Sequence, residues 1–306
     1  MHKYNHSLTM NEFFVSNKRR SVWNVELELL EAVKSICERH NLVYYADGGT
    51  LLGAVRHSGF IPWDDDLDIS MMREDYDKFI AYAQQELPDG FFLQTPETEE
   101  DYFYGHAKIR KNNTTAIRYI QYIEKYKHHQ GVFIDIFPLD NVPDVFLIRK
   151  THKWLSIKIM QIIYYAKYYY RQNKHSLITK IKHMISVIAL PTNKSVRRLF
   201  KIYEWWYKLP NRKKTKMVGT TSTYYFLEQT NTWNRSWFGK PVSVKFEDTL
   251  IGIPCEFDKV LTKTFGDYHT PVIAPSQHGD VFFDLDHDYK EYFDGTRSFT
   301  QDDCVL

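Results

Sequence analysis

The chain has 306 residues, 43% hydrophobic and 25% charged, which allows a sizeable core and excludes an intrinsically disordered polymer. Its three cysteines, Cys37, Cys255 and Cys304, are widely spaced and form no CxxC pair, which argues against a disulfide framework or a structural zinc site and suits a reducing cytosol. The formal charge of +2 conceals an asymmetry: residues 145–216 hold 18 Lys and Arg against Glu204 alone, about +17, so the remainder carries about −15.

The opening MHKYNHSLTM has no apolar core of a signal peptide. Residues 19–40 then predict a helix, because Val22, Val25, Leu29, Leu30, Val33, Ile36 and Cys37 follow the three-four spacing of one face. Asn41 is the expected stop. Residues 42–46 read as a short buried strand bounded by Asp47-Gly48-Gly49, and 50–57 as a helix after that glycine turn. Across 60–72, Leu67, Ile69 and Met71 alternate with Asp66, Asp68 and Ser70, the period of a strand with one acidic face.

Residues 73–87 predict a helix with Glu74 and Asp75 in its first turn, where the dipole favours them. Strands are expected at 103–109 and 131–137, giving an α/β sheet core. Pro138, Pro143 and Asp144 mark a boundary. The chain is therefore divided into a catalytic core at 1–143, a basic, aromatic, helical insertion at 144–217, and a segment at 218–306 that completes the core. Pro191 and Pro210 subdivide the insertion, and a strand at 242–246 and a helix at 257–265 follow it. No stretch approaches the ~20 apolar residues of a membrane span.

The chemistry concentrates in GGTLLGAVRHSGFIPWDDDLDISM, residues 48–71. Gly48 and Gly49 after a strand let backbone approach a phosphate, and the following helix offers its N-terminal amides. Asp66 and Asp68, two apart on a strand, point the same way and can share hard cations through oxygen. Asp135, the lone charge in the apolar strand GVFIDIFPLD, is the expected third carboxylate and a candidate proton acceptor. Gathered carboxylates repel unless a cation neutralises them, so Mg2+ or Mn2+, two ions in number, is the expected cofactor. An EF-hand is rejected: with Asp64, Asp66 and Asp68 at loop positions one, three and five, the required glycine and glutamate positions hold Ile69 and Asp75. Arg56 is placed to pair with donor phosphate oxygens. Lys108 and Arg110, two apart on a predicted strand, either neutralise the leaving nucleotide or are solvated. Trp63 is read as packing beneath the acidic loop. His128 and His129 lack partners for a metal role.

The pairing GTLLGAVRH…GFIPWDDDLDI, with GVFIDIFPLD, HAKIRKNNTT at 106–115 and FEDTLIGIPCEFDKVLTKTFGDYHTP near the end, resembles the LicD family of phosphocholine and phosphoalditol transferases, to which fukutin-related proteins also belong. The resemblance spans most of 22–271 and is weakest in the basic block. It implies a nucleotidyltransferase-type fold, α/β (α+β), with a mixed sheet flanked by helices. It implies a CDP-linked donor such as CDP-choline and a sugar hydroxyl on a glycan or lipid-linked glycan, with CMP leaving. It places the phosphate turn at Gly48 and Gly49, with Thr50 beside them, and the metal at Asp66, Asp68 and Asp135. A DxD glycosyltransferase using a nucleotide sugar and a non-catalytic membrane-surface scaffold are the competing readings. The basic block, with Trp154, Tyr164, Tyr165, Tyr168, Tyr169, Tyr170, Trp205, Trp206 and Tyr207, suits an anionic membrane surface at the cytoplasmic face. Nucleic acid is not expected, because no recognised nucleic-acid module accompanies the charge.

Overall fold

The computed structural model describes residues 15–167, 176–223, 232–272 and 280–304. Helix α1 (Asn17–His40) starts where the Ser16 hydroxyl accepts the Arg19 N–H and ends at Asn41, left-handed at φ 52°. Its apolar face, Val22, Leu29, Leu30, Val33 and Ile36, is buried as the spacing predicts. Strand β1 (Tyr45–Ala46) is shorter than expected, and α2 (Gly48–His57) starts two residues earlier than expected. Asp47 caps α2 by accepting the Gly48 N–H at 2.9 Å. The two glycines are therefore its first turn and not a turn ahead of it.

Strand β2 covers only Asp68–Met72, so the acidic strand expected from residue 60 is mostly a loop. Pro62 lacks the N–H a ladder needs, and the loop is held by α1 instead. The Asp64 carbonyl accepts Arg19 Nη1 at 2.7 Å and Trp23 Nε1 at 3.2 Å. Asp66 consequently reaches the site from a loop, not from the strand shared with Asp68. Helix α3 (Arg73–Glu86) matches its expectation.

Next come β3 (Phe91–Gln94), β4 (Ala107–Lys111), β5 (Thr115–Arg118), α4 (Tyr119–Ile123) and β6 (Phe133–Val142). Pro138 was expected at a boundary, yet β6 runs through it. On one edge of β6, β4 pairs with Phe133 to Ile136 and β7 (Met217–Gly219) with Asp140 to Val142. On the other edge, β2 sets Met71 opposite Pro138, but it is the Asp135 N–H that donates to β2's side, at the Leu67 carbonyl, so by alternation the missing Pro138 N–H faces the gap between β4 and β7. The chain continues with α5 (Phe146–Lys167), α6 (Leu177–Ala189), α7 (Asn193–Lys208), β8 (Thr232–Asn234), β9 (Val242–Phe246), β10 (Thr249–Ile253), α8 (Phe257–Phe265), β11 (Val281–Asp284) and α9 (Lys290–Phe293).

One mixed sheet runs β1-β2-β6-β4-β3, with β7 joined to β6 and β8 to β7. Only β2 and β6 are parallel among its described pairs. Helices flank it, and Ile69, Met71, Ile109, Ile134 and Ile136 sit at the centre of the core. The fold is mixed α/β, as expected.

Arg73 of α3 grips Asp140 of β6 with Nε at 2.7 Å and Nη2 at 3.0 Å. Asn211 and Thr221 add donors to the same carboxylate at 2.6 and 2.9 Å. This buried clamp ties the end of the basic block to the sheet. Within the block, Met160, Ile163, Val196, Phe200, Tyr203 and Tyr207 pack around Phe103 in a second core. Of the aromatic residues assigned to a membrane face, Tyr207 is therefore interior. Trp206 is bonded to the His152 carbonyl at 3.3 Å, Trp154 and Trp205 are exposed, and Tyr168, Tyr169 and Tyr170 lie outside the described residues.

Candidate active site

The parallel pairing of β2 and β6 puts Asp68 opposite Asp135 in register, so the two side chains leave one face of the sheet on neighbouring strands. Asp68 is held from behind: its N–H donates to the Thr50 hydroxyl at 2.8 Å, and its carbonyl accepts the Asp47 N–H at 3.0 Å. Thr50, expected near the phosphate, is buried and positions the strand end. Asp68 Oδ1 is buried without a hydrogen-bond partner among the described residues. The glycines leave room beside these carboxylates. A Cβ on Gly48, at φ +49°, would lie 3.4 Å from Asp68 Oδ2, and one on Gly49 would lie 2.5 Å from Asp64 Oδ2.

Asp64, Asp65 and Asp66 each offer an oxygen within 4.8 Å of the others, enough for a shared cation. Asp65 and Asp64 join the site only because α1 folds the loop inward, which alternation along the sequence does not reveal. Glu26 of α1 also faces this cluster, without a signal in the sequence pattern. It is buried, and its Oε2 has no hydrogen-bond partner among the described residues. Burial, then Asp66, Asp65 and Asp64, hold its carboxyl well above the usual range. Burial and then Asp66 push Asp64 up to about 8. Burial, Asp66, Asp135 and Asp47 raise Asp68, and burial pushes Asp47 up to about 6. An all-oxygen set of mutually repelling carboxylates fits a hard divalent cation.

Lys108 of β4 enters from the other side. Its Nζ meets Asp135 at 2.6 Å, and His106 Nε2 lies 3.3 Å from the same carboxylate. Burial lowers Lys108, while Asp135 acts in the opposite direction. Lys108 also covers the Phe133 ring at 3.7 Å. Neither Lys108 nor Arg110 is solvated. Arg110 is buried and committed to Gln94 Oε1 and the Gly131 carbonyl, both at 2.6 Å, which makes it a brace of the β3–β4 edge. Arg56 likewise donates to the Tyr268 carbonyl at 2.9 Å and to His57 at 3.0 Å. That contact explains the GDY tail, residues 266–268: Tyr268 is buried against α8, with its hydroxyl on Asp258 at 2.8 Å, and anchors the end of α2. Similarly, Glu247, between β9 and β10, accepts the Phe60 N–H at 3.0 Å and fixes the start of the acidic loop.

Trp63 packs on the main core, as expected. His129 is engaged by Asn112 at 2.9 Å and by the Gly131 N–H at 3.0 Å, a structural role.

Residues 41–170 match the LicD/FKTN/FKRP nucleotidyltransferase domain. The chain is 27% identical over 247 residues, 79% of its own length and 88% of the relative's, to the lipopolysaccharide cholinephosphotransferase LicD of Haemophilus influenzae. An uncharacterized protein of Rickettsia prowazekii is 46% identical over 143 residues, 43% of this chain and 47% of that one. Human ribitol 5-phosphate transferase FKRP is 42% identical over 48 residues, 16% of this chain and 10% of that protein. These matches bear out the resemblance to the LicD family.

Proposed function

We propose that this chain, with its LicD-type domain at 41–170, is a transferase moving a phospho-substituted group, phosphocholine or a phosphoalditol, from a CDP-linked donor to a glycan hydroxyl. The observation that carries the reading is the in-register pair Asp68–Asp135 beside the glycine-started helix α2 and the Asp64–Asp66 loop. The likeness over most of the chain to a cholinephosphotransferase supports the reaction class.

Asp66, Asp68 and Asp135, with Asp64, are the residues that would hold divalent cations, Mg2+ or Mn2+. Bound there, such ions supply charge neutralisation for the donor diphosphate. The helix start at Gly48 and Gly49 brings unhindered backbone toward the phosphates. Lys108 adds a cation on the Asp135 side. Its ammonium, 2.6 Å from Asp135, balances part of the carboxylate charge there. The acceptor oxygen forms a bond to the phosphorus bearing the choline or alditol, the diphosphate P–O bond breaks, and CMP leaves. The hydroxyl proton passes to a carboxylate of the cluster. Where the acceptor is lipid-linked, the basic segment 145–216 brings the enzyme to the cytoplasmic membrane face. No helix among the described residues is long and apolar enough to cross a membrane.

The test is product release from CDP-choline, CDP-ribitol, CDP-glycerol and UDP-sugars with a bacterial glycan acceptor. Acceptor-dependent CMP from one CDP donor, lost on chelation, is the expected result. UDP release from a sugar nucleotide alone would overturn the reading in favour of a glycosyltransferase.

A further inference from the structure

Helix α6 has thirteen residues and buries one of them, Ser186. Leu177, Ile178, Ile181, Met184, Ile185 and Ile188 are all exposed, Leu177 at 74% and Ile188 at 73%. At about 100° per residue, these six occupy an arc of about 120°. Lys182 lies about 40° beyond one edge of that arc and Lys180 about 40° beyond the other, on the same helical geometry. Ser186 and His183 fall on the opposite side, where His183 Nδ1 meets the Tyr165 carbonyl of α5 at 2.7 Å. The helix is thus seated on α5 by its polar side and turns its apolar side outward. A solvated helix of a globular protein does the reverse.

The start of α5 repeats the pattern. Val145, Phe146, Leu147 and Ile148 are exposed at the start of α5. Leu147 and Ile148 line an apolar groove of about 590 Å³ that also includes Arg212 and Lys213. Among residues 145–216 the single acidic residue is Glu204, and it is paired with Lys208 at 3.3 Å.

We infer that α6 is an interfacial membrane helix, its apolar arc inserted among the acyl chains of an anionic bilayer and its two lysines at the headgroup level. An apolar arc edged by lysines fits a surface that is apolar beneath and anionic above. A second copy meeting this face symmetrically would set one basic block against the other. The inference rests on the reading that 145–216 meets a membrane. It adds an inserted element to a contact of charge alone, and it reassigns that element from the aromatic residues to the aliphatic ones of α6.

Flotation of the full chain with phosphatidylglycerol/phosphatidylcholine vesicles and with pure phosphatidylcholine vesicles tests it, without reference to transferase activity. The wild type floats with anionic vesicles at low salt and retains part of that binding at ~0.5 M NaCl, since insertion is not screened as charge is. The double variant Ile181→Glu, Ile185→Glu keeps its circular dichroism and Tm, because both sites are exposed, and loses the salt-resistant fraction by at least about tenfold. Lys180→Glu with Lys182→Glu loses binding at low salt. If the apolar variant floats like the wild type, insertion is refuted while the charge contact stands. No flotation of the wild type with either vesicle refutes both. A wild-type dimer by light scattering that the apolar variant dissolves, with no flotation, gives the face to a second copy and overturns the inference.

Discussion

Asp68→Asn should make the metal-free protein more stable while disabling it. Asp68 and Asp135 are paired in register on adjacent parallel strands, so their side chains stand about 5 Å apart. Two carboxylates at that separation repel by about 3 kcal/mol at an effective dielectric of 20. Lys108, 2.6 Å from Asp135, cancels part of this, and Asp66, Asp47 and Asp64 add to it. Burial, with the same repulsion, is what raises the Asp68 carboxyl. Whether the cost is met as repulsion or as protonation, the amide should relieve it and stabilise the cation-free chain by about 1–3 kcal/mol, or about 2–5 °C in Tm for a chain of this size. The amide keeps the side-chain volume, and the backbone bond to Thr50 is untouched.

With cation present the order should reverse. Mg2+ raises the wild-type Tm by mass action and raises that of Asp68→Asn little. CMP release should fall by roughly 10²–10³, the scale for losing one electrostatic group at a reaction centre. Differential scanning fluorimetry in EDTA and in Mg2+, with a CMP release assay, gives all three readings. A variant less stable than wild type in EDTA would show that the Asp68 charge is structural and refute the repulsion argument. Full turnover would move the site elsewhere.

Three further outcomes are expected. Gly49→Ala puts a Cβ 2.5 Å from Asp64 Oδ2; the carboxylate can shift, so stability changes little while cation affinity by titration falls about 10–100-fold, and unchanged affinity would leave Gly49 a plain helix start. Asp140→Ala strands the buried Arg73 guanidinium and should cost about 3–5 kcal/mol in a urea melt; a loss below about 1 kcal/mol would show that the clamp is not needed. Burial, then Arg110, lowers both His128 and His129 to about 3. Their folded values lie below the unfolded ~6.5, so this stability is present above pH 6.5 and lost as pH falls, by about 4 kcal/mol for the pair at pH 5. The raised Asp64 and Asp47 carboxyls work in the opposite direction over this range, so the reading is the variant against wild type. His128→Leu should be about 2 kcal/mol less destabilised between pH 7 and pH 5 than wild type, and an unchanged difference would place the acid sensitivity elsewhere.

The periodic elements were legible because their periods are enforced by burial. The α1 face from Val22 to Ile36, α3, β9 and α8 match the chain reading closely. The misreadings occur where a distant segment overrides the local pattern. Alternation through Asp66 continues past the end of β2 because Arg19 and Trp23, some forty residues earlier, hold the Asp64 carbonyl that a neighbouring strand would otherwise take. Pro138 reads as a break until the partners of β6 are known.

The same override governs which charges meet at the site. Arg110 shares a strand face with Lys108 in the sequence, yet Gln94 and the Gly131 carbonyl absorb its guanidinium, while Lys108 reaches Asp135. Glu26 gave no signal because a glutamate in an amphipathic helix is expected in solvent. Only the fold turns it under the acidic loop, where Asp64, Asp65 and Asp66 raise its carboxyl further. A globular chain gains nothing in stability from burying Glu26 beside three aspartates. The arrangement is intelligible if the cluster is organised for more positive charge than Arg19 and Lys108 supply. Glu26→Gln separates the alternatives. If Glu26 contributes to the cation field, the variant is at least as stable as wild type in EDTA and shows a smaller Tm rise with Mg2+. If its carboxylate instead holds α1 to the loop, the variant loses stability in both conditions and its Mg2+ response is unchanged.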